Sequence, residues 1–85
     1  MDSIFYIKGV RPNGDIAIFN GYQNPYDISL DNPPKGFGYN NKNDAIDNKD
    51  CIKNPFVKIE WEIIDESEFI QLKIDWCKKY IEHYE

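Results

Sequence analysis

The feature that most narrows the fold is a change of period between Phe56 and Tyr84. In "FVKIEWEII", Val57, Ile59, Trp61 and Ile63 alternate with Lys58, Glu60, Glu62 and Ile64. Period two is the mark of a strand with one dry and one wet face. Beyond Asp65 the period lengthens. Phe69, Ile70, Ile74, Trp76, Cys77, Tyr80, Ile81 and Tyr84 fall on one broad helical arc, with Gln71, Asp75, Lys78 and Glu82 opposite. "DESE" marks the joint. Asp65 can cap the helix, Glu68 can close a capping box, and Ile64 can staple to Phe69. Glu66 and Glu68 suit the positive end of a helix. The spacing predicts a strand over 56–64 and a helix over 66–84.

Residues 3–22 read as a β-hairpin. "IFYIKGV" and "DIAIFNGY" are rich in β-branched and aromatic residues, and "RPNG" separates them. Pro12 presets φ, Asn13 suits the third turn position and Gly14 can take positive φ, as in a type I turn closed by a glycine bulge. Large apolar groups occupy both faces of this hairpin. One face is expected to meet a helix and the other the long connecting segment or a partner.

That segment, 23–55, holds four of the five prolines and many asparagines without periodicity, so it reads as an irregular loop. Its length is uncommon for a connection in a compact domain, which points to a hidden element. A short helix over 43–52 fits, capped by Asn43, with Asp44 in its first turn and Ala45, Ile46 and Ile52 buried. Pro55 forbids extension. The order implies one α+β domain over 1–85: a small, mostly antiparallel sheet, made of the hairpin and a third strand, covered by a C-terminal amphipathic helix.

At 85 residues the core is small, so the aromatic residues, 15% of the chain, carry much of the burial. No run of apolar residues is long enough to span a membrane, and "MDSIFYIKG" lacks the basic start of a signal peptide. Cys51 and Cys77 are too few for a disulfide framework, which favours a reduced, cytoplasmic setting, with Cys77 as a small core residue. The net charge is −5. Its excess lies between Ile59 and Leu72, in Glu60, Glu62, Asp65, Glu66 and Glu68, with no basic residue among them. Phosphate-backbone binding needs clustered Lys and Arg and is disfavoured.

One motif argues the other way. "KGFGY" (Lys35 to Tyr39) resembles the octamer signature of the RNA-recognition motif, and "FYIKGV" is similar to that family's second signature. The resemblance implies a nucleic-acid-binding sheet with Tyr6, Phe37 and Tyr39 as stacking platforms. The context opposes it. Asn40, Asn41 and Lys42 stand where the family's strand is apolar, and a turn, a strand and a loop fill the interval that should hold a helix. Gly36 and Gly38 then serve to turn the chain between aromatic anchors. The same glycines make no phosphate cradle, since no third glycine or Gly-Lys-Ser/Thr follows. His83 is the sole histidine and lies six residues from Cys77, on a different helix face, so no closed zinc set is expected, and a catalytic triad would have to use His83 in a turn expected to fray. No cofactor, metal or catalytic residue is expected.

Two surfaces are left for binding. Tyr22, Tyr26, Phe37 and Tyr39 lie in a region rich in asparagine, the chemistry of recognition loops. The acidic residues Glu60, Glu62, Asp65, Glu66 and Glu68 suit a basic surface on another protein. The expectation is a small acidic, non-catalytic protein that docks on a protein partner and inhibits or modulates it. In size and charge it resembles the stand-alone inhibitors of phages and mobile elements, such as anti-defence proteins, and toxin-immunity proteins. Two alternatives are a nucleic-acid-binding module using aromatic stacking and a small metal-dependent enzyme using Glu60 and Glu62.

Overall fold

The "RPNG" turn forms as its residues dictate. Gly14 takes φ = +91° and donates its N–H to the Arg11 carbonyl at 2.9 Å, while Arg11 donates to Asp15 at 2.9 Å. The Asn13 side chain accepts the Asp15 N–H at 2.9 Å, a local bond that favours a turn over a continued strand. A computed structural model describes residues 4–19, 25–52 and 58–84. The outer residues of the expected hairpin, 3 and 20–22, lie outside that set. Within it, β1 (Phe5–Val10) pairs antiparallel with β2 (Ile16–Phe19), Lys8 opposite Ile18 and Val10 opposite Ile16.

Two further strands flank the hairpin. β3 (Pro25–Asp27) pairs with β2, and β4 (Glu60–Asp65) pairs with β1, giving the antiparallel order β3-β2-β1-β4. β3 corrects the irregular reading of 23–55. It is three residues long and begins with proline, which has no N–H to donate and is therefore tolerated only where a strand is short or at an edge. Arg11 secures it with a bidentate pair to Asp27, Nε to Oδ1 at 2.7 Å and Nη2 to Oδ2 at 3.0 Å. β4 begins at Glu60 rather than Phe56. Lys58 and Ile59 precede it as non-strand residues, and Phe56 and Val57 lie outside the described residues.

The hidden helix exists, shifted toward the N-terminus. α1 spans Lys42–Asp50, and Asn41, not Asn43, caps it. Asn41 is extended (φ −137°, ψ 129°), and its side-chain oxygen accepts the Asn43 N–H at 2.7 Å. Ala45 is fully buried, with Ile46 and Ile52 half-buried. α2 spans Glu66–Tyr84, with Asp65 Oδ1 accepting the Glu68 N–H at 2.9 Å.

Strand alternation assigns the helices to opposite faces. Phe5, Ile7, Phe19, Trp61 and Ile63 pack with Tyr39, Ala45 and Ile52, so α1 covers that face. The Phe19 and Trp61 rings meet edge to face, 6.2 Å between centroids. Tyr6, Ile18, Ile28 and Ile64 pack with Phe69 and Leu72 of α2 on the other. Tyr6 and Phe69 stack at 3.9 Å with 11° between planes. The chain is thus α+β, a four-stranded antiparallel sheet between the short helix of the long segment and the C-terminal helix. One expectation about α2 needs correction. Of its broad apolar arc only Phe69 is buried, and Cys77 is exposed rather than in the core. No helix among the described residues is long and apolar enough to cross a membrane.

Candidate functional site

The loop aromatics divide between fold and surface. Tyr22 lies outside the described residues. Tyr26 stands in β3 opposite Ile18 and is half-buried. Tyr39 bridges Phe5, the two residues exchanging N–H···O bonds of 2.8 Å in both directions. It is 8% exposed, and burial pushes its phenol above the ordinary tyrosine pKa. Phe37, two residues earlier, is 52% exposed, with its ring 4.9 Å from that of Tyr39. The segment lies flat because Gly36 and Gly38 have no side chain. A Cβ on Gly36 would strike Ile18, and one on Gly38 would come within 2.6 Å of Ile4 Cγ2. Neither glycine has positive φ, so close packing rather than turning is what they provide.

This geometry leaves little of the RNA-recognition resemblance. Lys35–Gly38 is not in a strand, and β2 and β3 fill the interval after β1 where that family has a helix. Of the three stacking candidates, Tyr6 lies against Phe69, Tyr39 is buried, and Phe37 alone shows most of its ring.

The acidic residues make a ridge along β4 and the first turn of α2, interrupted by Lys8 at Glu62. β4 is an edge strand, and Glu60 and Glu62 project from it on one face, across from Val10 and Lys8. Lys8 Nζ meets Glu62 Oε1 at 3.0 Å. The ridge turns the corner at Asp65, whose carboxylate holds the helix start, and continues through the exposed Glu66 and Glu68. Charges along an edge strand discourage pairing with a strand of another chain. Glu66 also reaches inward electrostatically: burial first, and then its carboxylate, raise the pKa of Tyr6. The carboxylates do not gather. Among the described residues no group of three or more His, Cys, Asp or Glu could hold a metal ion.

Two features have no counterpart in the sequence pattern. A cleft of about 300 Å³ opens between the hairpin turn, the residues after β3 and α2, lined by Asp15, Ile28, Leu72, Asp75 and Lys79 among others. Trp76 closes one side of it, donating Nε1–H to the Ser29 carbonyl at 2.6 Å. Beyond this contact α2 carries a ladder of aromatic rings, Trp76 to Tyr80 at 5.0 Å and Tyr80 to Tyr84 at 4.6 Å. His83 lies edge-on to Tyr84, and Cys51 and Cys77 are both free and exposed. No protein-family model matches the chain, and no curated protein or solved structure is significantly similar to it.

Proposed function

We propose that this is a non-catalytic binding protein that docks its acidic β4–α2 corner on a basic surface of a protein partner and inhibits or modulates that partner. The observation that carries the reading is the ridge itself. Glu60, Glu66 and Glu68 are exposed along one edge strand and the helix that follows it. Like-charged groups held in a row by rigid elements steer a partner of opposite charge and set its register. Phe37, 52% exposed next to Tyr39 on the α1 side of the sheet, lies away from these charges and would be a separate apolar contact. A reduced cytoplasmic setting suits the two free cysteines, and the stand-alone inhibitor or immunity type suits the size and charge.

The test begins with a tagged pull-down from the native cytosol, followed by affinity measurements on the captured protein. Glu60→Gln, Glu66→Gln and Glu68→Gln together keep side-chain volume and leave the Asp65 cap intact. The triple variant is expected to bind at least about tenfold more weakly, mainly through a slower on-rate, with a flatter dependence on salt. Unchanged affinity and unchanged salt dependence would discard the ridge as the docking surface. Nucleic acid in the eluate without a protein would discard the protein-partner reading altogether.

A further inference from the structure

The fold occupies one stripe of α2 and leaves a second one bare. Phe69, Leu72 and Trp76 look toward the sheet and the residues after β3. Ile70, Ile74, Cys77, Ile81 and Tyr84 lie roughly a third of a turn around the axis. All five are exposed: Ile70 at 46%, Ile74 at 43%, Ile81 at 54%, Tyr84 at 60%, and Cys77 with them. Their spacing is four, three, four, three, the alternation of the a and d positions of a coiled coil. Isoleucine occupies both a positions, Ile74 and Ile81. We propose that this stripe is the seam through which two copies of the chain pair, α2 against α2, in antiparallel orientation.

The residues flanking the seam choose both the occupant and the direction. Gln71 and Lys78 border it on one side, Lys73 and Tyr80 on the other, and no acidic residue stands between Ile70 and Ile81 at these flanks. A chain of net charge −5 therefore meets its own copy at a stripe that no carboxylate flanks over that span. Parallel pairing would set Lys73 of each copy against Lys78 of the other, a repulsion repeated twice. Antiparallel pairing levels Ile70 with the second copy's Ile81 and Ile74 with its Cys77. Lys78 then lies beside Gln71 and Lys73 beside Tyr80, so no two like charges face each other across the seam.

Two heptads alone would be too short to hold a helix in water, because nucleation opposes it. Here Phe69 and Asp65 fix the helix within the monomer, so pairing need not create it. Covering the stripe on both copies removes on the order of 1,000 Å² from water, the size of a weak, reversible interface. The docked stripe and the bare one point different ways, so pairing does not require α2 to leave the sheet.

Sedimentation equilibrium of the full chain across the micromolar range tests the proposal. A mass of two chains is expected at the upper end, with a melting temperature that rises with protein concentration. Ile74→Ser with Ile81→Ser should raise the dimer dissociation constant about a hundredfold or more, with an unchanged circular dichroism spectrum. Tyr84→Ala, in the last helical turn where folding is not at stake, should raise it severalfold. A monomer at every concentration, or a dimer indifferent to all three substitutions, overturns the proposal. Direction is read by oxidative cross-linking after Cys51→Ser and Cys77→Ala. With Ile70→Cys and Ile81→Cys added, peptide mapping should find a 70–81 link between copies. An 81–81 link would overturn the antiparallel arrangement, which separates those positions by about 16 Å.

Discussion

α1 and α2 lie against opposite faces of one sheet, and each has one buried residue. α1 is nine residues of mostly polar side chains, "KNDAIDNKD", and places Ala45 at 0% exposure. α2 is nineteen residues long and rich in Ile, Trp and Tyr, and it too buries only Phe69. A helix's apolar content therefore does not measure its use by its own domain. α1 needs little apolar surface because alanine lets its backbone approach the sheet and Ile7, Phe19 and Trp61 supply the bulk. α2 meets the same sheet over its first turns and carries a surplus beyond them.

Substitutions at these contacts separate the two cases. Phe69→Ala should have the largest effect. It removes the ring stacked on Tyr6 and packed on Ile64, and should lower unfolding stability by about 3–5 kcal/mol in a urea titration. A loss well under that range would mean that α2 is held by its second face rather than by the sheet. Ala45→Leu is the converse experiment on α1. Overpacking a position with no exposure should cost about 1–3 kcal/mol by the same titration. No loss there would mean that α1 can withdraw from the sheet, and the contrast between a tight short helix and a loosely used long one would fail.

The smallest effect is one of pH. Tyr6 on the α2 face and Tyr39 on the α1 face both have pKa values raised above 10.0, Tyr6 by burial and then Glu66, Tyr39 by burial. A raised value means that the folded state holds the phenolic proton more tightly than the unfolded chain. The resulting stabilisation is complete below pH 10.0 and is lost as the pH rises through the folded values. Tyr6→Phe and Tyr39→Phe should each reduce the alkaline decline in melting temperature while leaving the neutral value nearly unchanged. Glu66→Gln should reduce it only where Tyr6 is present, which distinguishes the two faces.

Much of the architecture was legible because local and long-range signals agreed. The turn needed a positive φ at Gly14, and the strand-to-helix joint was written in a change of period and a capping aspartate. β3 was not legible, since three residues beginning with proline carry no period. The α1 cap was misplaced because Asn41 and Asn43 are chemically equal candidates and only the extended backbone at Asn41 decides between them. The acidic ridge was legible because charges stay at the surface wherever the chain runs. The contrast between Tyr39 and Phe37 was not, because neighbouring aromatics in an irregular segment do not reveal which one the sheet takes. The arc on α2 was seen but read as a single face. Its width is the same whether one neighbour covers it or two, and only the four-three spacing of the outer residues marks the division.

The junction of β4 with α2 has a mechanical consequence. Asp65 ends the strand and Glu66 begins the helix, with no linking residue between them. A strand fixed by its pairing with β1 thus holds a rigid arm about 28 Å long at its root. A tilt of roughly 10° at this elbow would sweep the far end of the arm by about 5 Å. The carboxylates of Glu60, Glu66 and Glu68 sit at the fulcrum, and Tyr84 rides at the tip, so a small displacement on the short side of this lever is enlarged at the long one.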